Sequence, residues 1–180
     1  MERSNKDVLE IEVKIKVGDP LKVREKILEL GATLDRERHF EKNTLFDFSS
    51  ASLFAKKQAL RLRTAGKKHY LTFKGTPRKS RKFKIREEYE TELKNGRDGE
   101  KILRNLGLQP TLSYSKHRTT FRFRKLKLCL DETAAGAFLE LEGKQSDIVR
   151  FAGSLGYSKL EFIKEDYIQL LSKEGKLLKD

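Results

Sequence analysis

The sequence predicts an α+β fold dominated by strands, and three observations carry that prediction. Eight segments read as strands, and the clearest of them place apolar residues at every second position, the period of a half-buried strand. Only four segments show helical spacing, each short and bounded by turn or cap residues. The charged residues of the strand-like segments recur at two-residue steps, so each strand has one apolar and one charged face. Eight strands with so few helices close into a barrel or pack as a sandwich.

The first strand, Leu9–Val17, reads L-E-I-E-V-K-I-K-V. Asp19 then caps a helix whose first residue is Pro20. Val23, Ile27 and Leu30 form its apolar stripe and Gly31 ends it. Phe40–Phe48 and Leu60–Arg63 alternate again, and Gly66 turns the chain into a strand over Tyr70–Lys74. Gly75–Lys82, with Pro77 and several basic residues, reads as an exposed, mobile loop. Phe83–Leu93 is a long strand. Asp98 caps the next helix, which points Ile102, Leu103 and Leu106 inward and stops at Gly107. Ser115–Phe123, Leu126–Asp131 and Phe138–Glu142 complete the strands. Ser146 caps a helix bearing Ile148, Val149, Ala152 and Leu155, ended by Gly156, and a last helix covers Glu165–Ser172. A short repeat is visible: Ile27–Gly31 and Ile102–Gly107 each end a helix before a strand, the first carrying Lys42 and Phe46, the second Lys116 and Phe121.

The 180 residues carry 40 Lys and Arg against 27 Asp and Glu, a formal net charge of +13. That length fits a single domain over 1–180, with a core of 8–172 and a short C-terminal tail. Cys129 is the only cysteine, which excludes an internal disulfide framework and a Cys-rich zinc site. No apolar run approaches the roughly 18 residues of a membrane span, and none follows Met1, so a reducing, cytoplasmic setting is expected. The positive balance favours a polyanionic partner.

The charged faces resist the reading of a solvated outer surface. They mix acids and bases in the patterns E-x-E-x-K, R-x-R, R-x-E-x-E, K-x-R and E-x-E. Carboxylates two apart on a strand project to one side about 7 Å apart and suit a hard divalent cation. Arginines and lysines beside them suit a phosphate chain. A closed barrel could turn the apolar face outward under helices and the charged face inward around metal and polyphosphate.

In this order the motifs resemble the CYTH superfamily, the triphosphate tunnel metalloenzymes, which include class IV adenylyl cyclases, thiamine triphosphatases and inorganic tripolyphosphatases. The hallmark E-x-E-x-K stands as Glu10, Glu12 and Lys14. Arg61 and Arg63 match R-x-R, and Lys74 matches the next strand's lysine. Arg86, Glu88 and Glu90 match R-x-E-x-E, and Lys116 and Arg118 match K-x-R. Asp131 matches an acid before the Ala134-Ala135-Gly136 turn, Glu140 and Glu142 match the final E-x-E, and Tyr167 lies where members carry S-Y-x-x-L-L. The resemblance spans nearly the whole chain. It implies a closed eight-stranded antiparallel β-barrel, a triphosphate tunnel, with helices packed on the outside.

The resemblance also implies roles. Glu10, Glu12, Glu88, Glu90, Asp131, Glu140 and Glu142 would hold Mg²⁺ or Mn²⁺. Lys14, Arg61, Arg63, Lys74, Arg86, Lys116 and Arg118 would bind the triphosphate, with Lys14 and Lys116 as catalytic residues. Lys16, Lys84 and Arg122 read as rim charges, and the Pro77 loop as a lid, a funnel or an ordinary loop. Length and the segment Gly31–Arg63, with Asn43-Thr44-Leu45-Phe46-Asp47, look most like the class IV adenylyl cyclase-like subgroup. Tripolyphosphatases place a tyrosine from an early strand beside the lysine matching Lys116, and here Leu45 and Phe46 stand in that neighbourhood. Three functions remain open: a cyclase making cyclic AMP and pyrophosphate from ATP, a hydrolase of tripolyphosphate or thiamine triphosphate, and a non-catalytic polyanion-binding module. Acids on the binding face argue against nucleic acid as partner. Monomer and homodimer are both open, and no membrane partner is expected.

Overall fold

The computed structural model describes residues 9–175 and the backbone of 178–179. The ends of the expected 1–180 unit, residues 1–8, 176, 177 and 180, lie outside the described residues. The order of elements is β1 (Leu9–Val17), α1 (Pro20–Glu29), β2 (Thr33–Phe48), α2 (Ser52–Ala55), β3 (Ala59–Ala65), β4 (Lys68–Lys74), β5 (Lys84–Leu93), α3 (Gly96–Asn105), β6 (Leu108–Phe123), β7 (Leu126–Thr133), β8 (Gly136–Glu142), α4 (Gln145–Ser154), a 3₁₀ turn (Lys159–Glu161), α5 (Tyr167–Lys173) and the two-residue β9 (Leu178–Lys179). The sheet runs β2-β3-β4-β5-β1-β8-β7-β6, and β2 pairs with β6 to close it. All pairings are antiparallel. The expected eight-stranded barrel is therefore the fold, and β9 adds a short pairing to Leu112 and Ser113 of β6. No helix among the described residues is long and apolar enough to cross a membrane.

The barrel is inverted in the sense the charge pattern required. Val13, Ile15, Leu128, Leu130, Leu139 and Leu141 point outward and pack with Val23 and Ile27 of α1 and Ile148, Phe151 and Ala152 of α4. A second outer cluster joins Phe46, Leu62, Leu103 and Leu108 under α3. Closure removes the sheet edges, and the helices cover the apolar outer face.

Local signals explain the entries. Asp19 accepts hydrogen bonds from the Leu21 and Lys22 N–H groups, with Pro20 at the first helical position. α1 and α3 both end in a left-handed glycine, Gly31 at φ 87° and Gly107 at φ 90°, a conformation that costs glycine nothing. Each leads into one of the two 16-residue strands that pair to close the barrel. The repeat is thus structural, but Lys42 is exposed on the outer face, and the residue facing Lys116 across the seam is Glu41.

Other expectations are corrected. Asn95, not Asp98, caps α3, because its side chain reaches the Arg97 and Asp98 N–H groups. Only Leu103 of the α3 stripe is buried; Ile102 and Leu106 are 60% and 65% exposed, since the short helix meets the barrel along one line. Lys144 precedes α4 without a side-chain cap, so Ser146 lies inside the helix. Asp166 caps α5 and forms a reciprocal capping box with Gln169, which starts that helix at Tyr167 rather than Glu165.

If the outer apolar face carries the stability, Leu139→Ala should lower the unfolding free energy by about 2–5 kcal/mol. Leu160→Ala, at a position 86% exposed, should change it by less than about 0.5 kcal/mol. Urea titrations of the two variants check this, and equal effects would contradict an outward-facing core.

Candidate active site

Because β1 and β8 pair Lys14 with Glu140 and Glu12 with Glu142, alternation delivers all four side chains to the inside of the barrel. The same parity brings in Glu10 opposite Arg86, Arg61 opposite Thr72, Lys74 opposite Glu88 and Arg118 opposite Asp131. One cavity is lined by Glu10, Glu12, Lys14, Arg61, Arg63, Lys74, Arg86, Glu88, Glu90, Lys116, Arg118 and Glu140. Glu142 lies beside it, paired at 2.9 Å with Lys127, which lines it. Asp131 lies behind it, wholly buried. The structure thus gathers the sequence-selected residues in and against one lumen.

The lumen is packed with ion pairs and leaves only about 90 Å³ of open space. Lys14 Nζ lies 3.1 Å from Glu12 and 3.2 Å from Glu140. Burial alone would lower the Lys14 pKa, but those two carboxylates hold it well above its ordinary value. Lys74 Nζ contacts Glu10 at 2.9 Å and Glu88 at 2.5 Å. Arg63 donates to Glu90 at 2.8 Å. Arg118 forks onto both Asp131 oxygens at 2.6 Å and reaches Glu140 at 3.0 Å. Burial would raise the Glu140 carboxyl, and Lys14 and Arg118 hold it well below the usual carboxylate range instead.

Asp131 accepts from Lys116 at 2.9 Å and from the Tyr167 hydroxyl at 2.5 Å, besides Arg118. Its oxygens are committed to three partners, which makes it an anchor for Lys116, Arg118 and α5. Tyr167 packs edge-on against Phe138, and the ammonium groups of Lys116 and Lys14 sit 4.4 and 5.1 Å from its ring centre. The tyrosine is a plug seated in the lumen rather than a surface residue.

Several lumen residues escaped the sequence reading. Glu41 is almost wholly buried and contacts His39 at 3.2 Å, Arg63 at 3.5 Å and Lys116 at 3.9 Å. Burial would raise its carboxyl, but Arg118, Lys116, Arg63 and Arg61 overrule it and hold the pKa at about 2. The signal was its parity with Leu45, but β2 has no clean apolar alternation to reveal which face is which. Tyr114 of β6 lines the cavity two residues from Lys116, so a tyrosine absent from the early strands enters from another wall. Lys84 is no rim charge: it is buried and bonds Asp166 at 3.3 Å. Burial pulls its pKa down to about 8 against the pull of Asp166. Lys16 and Arg122 are exposed as expected, Arg122 pairing with Asp35. Cys129 is buried on the inward face with its thiol pKa raised by burial. His117 packs against Phe40 outside the barrel.

A larger cavity of about 770 Å³ adjoins the lumen and shares Leu45, Ala59, Arg86, Asp166 and Ile168 with it. Leu53, Phe54 and Ala55 of α2, Phe83, Leu112 and the loop residues Pro77, Arg78 and Ser80 also line it. α2 is held there by Asp47, whose carboxylate accepts from the Phe48, Leu53 and Phe54 N–H groups.

The donor set fits a hard divalent cation. The lumen offers carboxylate oxygens from three adjoining strands: Glu88 and Glu90 on β5, Glu10 and Glu12 on β1, Glu140 and Glu142 on β8. Glu88, which burial would raise, is lowered by a hydrogen bond to Glu10 and by Lys74. Two carboxylates in such contact gain from a shared cation. As the side chains stand, lysines fill that role, and no three His, Cys, Asp or Glu groups among the described residues converge to hold an ion.

A closed barrel with its charge inside and its apolar face under helices defines a tunnel protein. Residues 9–172 match the CYTH domain, and the chain belongs to that family. It is 26% identical over 174 residues to a candidate adenylate cyclase of Methanocaldococcus jannaschii, covering 91% of this chain and 98% of the relative. A candidate adenylate cyclase of Vibrio parahaemolyticus superposes with a TM-score of 0.80 at 18% identity, over 92% of this chain and 98% of that one. A Hippeastrum protein described as a candidate adenylyl cyclase with a dominant triphosphatase activity superposes at 0.69 and 20% identity, over 95% and 97%. At these identities the two superpositions speak to the fold.

The depressed Glu41 pKa has a measurable consequence. Its stabilising charge is fully present above the ordinary value of 4.5 and is lost as pH falls toward about 2. Glu41→Gln should therefore cost roughly 2–4 kcal/mol near pH 7, and the deficit should shrink as the pH drops toward 2. Chemical denaturation of both proteins at pH 7 and pH 3 tests the sign; a deficit independent of pH would contradict it.

Proposed function

We propose that the protein is a divalent-metal-dependent enzyme that grips a triphosphate in its barrel and brings a hydroxyl against one phosphorus. The observation that carries this reading is the interleaving of acids and cations in one closed lumen. Eight residues of its lining are Lys or Arg and six are Asp or Glu. Glu41, Asp131 and Glu142 pair with lining cations from behind. A lumen so nearly neutral cannot balance a polyanion alone, and a plain phosphate-binding surface has no use for buried carboxylates. Glu10, Glu12, Glu88, Glu90, Glu140 and Glu142 would hold Mg²⁺ or Mn²⁺, and Asp131 keeps its anchoring role. When bound, such an ion supplies Lewis-acid neutralisation of phosphoryl oxygens.

The chain's own residues do the rest. With those carboxylates holding an ion, Lys14, Lys74 and Arg86 would take phosphate oxygens, joined by Arg61, Arg63, Lys116 and Arg118. Lys14 and Lys116, anchored between acids and the Tyr167 ring, would neutralise charge that develops at the reacting phosphorus. The large adjoining cavity suits an organic group on the triphosphate, with Phe54 and Leu112 as apolar surface and Arg78 at its rim.

The first reaction is cyclisation of ATP: the ribose 3′-oxygen bonds to the α-phosphorus, the anhydride bond breaks and pyrophosphate leaves. The full-length relative from Methanocaldococcus jannaschii and the cyclase-like β2 segment favour it. Hydrolysis is the second reading, favoured by Tyr114 beside Lys116 and by the activity described for the Hippeastrum protein. The open lumen volume is far too small for a nucleic-acid strand. A single buried thiol suits a cytoplasmic enzyme.

Product analysis with ATP, tripolyphosphate and thiamine triphosphate, each with Mg²⁺ and with Mn²⁺, separates the reactions. Glu10→Gln or Glu12→Gln should abolish turnover without unfolding the protein. Arg61→Ala or Arg118→Ala should cost about tenfold to more than a hundredfold, at roughly 1.5–3 kcal/mol per charge-assisted contact. Arg78→Ala should alter mainly the association rate and its salt dependence. Unchanged turnover in both glutamine variants would refute the metal-site assignment.

A further inference from the structure

The inward face of β2 carries an anomaly that the triphosphate grip leaves unexplained. Asn43 is wholly buried, 0% exposed, and neither its amide nitrogen nor its amide oxygen has a hydrogen-bond partner among the described residues. Its cross-strand neighbours are Arg63 on β3 and Tyr114 on β6, and both line the lumen. Two residues away on the same face, Glu41 Oε2 likewise accepts no hydrogen bond, its nearest ammonium, that of Lys116, lying 3.9 Å off. The Nε groups of Arg61 and Arg63 on the facing strand are also buried without an acceptor. Unpaired buried polar atoms are costly and rare, and these four residues share the β2–β3 wall, next to the lumen-lining Tyr114.

The chemistry of the orphans says what kind of group suits them. They mix donors, the amide N–H₂ and two guanidinium Nε–H groups, with acceptors, the amide oxygen and Glu41 Oε2. Exchanging the amide's oxygen and nitrogen leaves that mixture unchanged. A phosphate oxygen only accepts and would face a carboxylate held ionised by the surrounding cations. A divalent cation would face two guanidinium groups. A hydroxyl both donates and accepts, so it satisfies both halves of the set. The site adjoins Arg61, Arg63 and Lys116, which in the proposed function hold the phosphates.

We propose that Asn43, with Glu41, forms a station that positions the attacking hydroxyl beside the triphosphate. This rests on the triphosphate reading of the lumen and deepens it. The hydroxyl is that of an ordered water in hydrolysis or of the substrate's ribose in cyclisation. In either case its oxygen forms the new bond to phosphorus, the anhydride bond breaks, and the electron pair stays on the leaving group, which is pyrophosphate in cyclisation and the shortened phosphate chain in terminal hydrolysis. The proton ends on that leaving group or in solvent. Glu41 is too weak a base to take it and serves as an acceptor that aims the O–H.

The test compares wild type with Asn43→Leu, close in volume and without polar atoms, on Mg²⁺–ATP and Mg²⁺–tripolyphosphate. Expected is a fall in kcat of at least about tenfold, with KM and the tripolyphosphate-induced rise in melting temperature close to wild type. The empty variant should melt no lower than wild type, because the orphaned amide is gone. Asn43→Ser, which keeps a hydroxyl and leaves room for a second water, should recover part of the lost kcat. Wild-type kcat in Asn43→Leu, or a lost thermal shift with raised KM, would overturn the proposal. If the leucine variant does not fold, crystal structures of the wild type with tripolyphosphate and with a non-hydrolysable ATP analogue decide: a water or the ribose hydroxyl within hydrogen-bond distance of the Asn43 amide and Glu41 supports it, and neither there in both overturns it. Orthophosphate or cyclic nucleotide among the wild-type products tells which hydroxyl is held. A wild type with neither turnover nor a thermal shift would remove the triphosphate reading itself. An active wild type matched by Asn43→Leu would remove only the station.

Discussion

Everything in this barrel depends on one constraint: each cation taken inside must meet a carboxylate before closure is tolerable. An isolated buried ammonium or guanidinium costs several kcal/mol, and coulombic attraction offsets that only with good geometry and satisfied hydrogen bonds. The strands meet the condition by register. β1 sets Lys14 against Glu140, β4 sets Lys74 against Glu88, and β7 sets Asp131 against Arg118. A slip of one residue in any of these pairings would turn charge outward and leucine inward. The ion pairs therefore specify the register even where they add little net stability.

The same constraint shapes the chemistry. The ion pairs of the lumen hold both kinds of group that a metal–triphosphate complex would need. In the proposed function, exchange of partners would let the carboxylates turn to metal and the cations turn to phosphate with little change in the barrel's net balance. Lys14, between Glu12 and Glu140, and Lys74, between Glu10 and Glu88, would be points of that exchange. Asp131 behaves differently, since its three donors come from β6 and α5 and it holds Lys116, Arg118 and Tyr167 together. It is better suited to fixing the far wall than to releasing its partners.

How much of this was legible in the sequence varied with the strand. β1 and β8 were plain, because each is buried on one side under helices and charged on the other, so alternation is uninterrupted. β2 was read only from Phe40, since Thr33–His39 is largely exposed on both faces and carries no apolar alternation. The start of β6 was hidden by Pro110, which stands there opposite Phe46 near the strand's end. Tyr114 lies in the second gap, whereas Glu41 and Asn43 lie inside Phe40–Phe48, where Lys42 and Thr44 interrupt the face of Phe40, Phe46 and Phe48 and Leu45 stands on the other. An apolar face so broken does not say which way Asn43 points. The motif residues were legible for the opposite reason: they repeat at two-residue steps beside clean leucine and isoleucine faces.

That difference follows from how the two faces of each strand are used. The outer face of β1, β7 and β8 is stabilised by burial against α1 and α4, a nonspecific interaction that leaves a strong periodic trace. The inner face is held by pairwise electrostatics whose partners lie on other strands, as Glu41 finds Lys116 some 75 residues away. Such pairings leave no trace in local periodicity. Stability and site chemistry thus occupy opposite faces of the same strands, separated by one residue in sequence. A substitution at an odd position of β1 is a packing change, and one at an even position is a change in lumen charge. Asn43 and Glu41 belong to the second class although β2 lacks the pattern that would announce it.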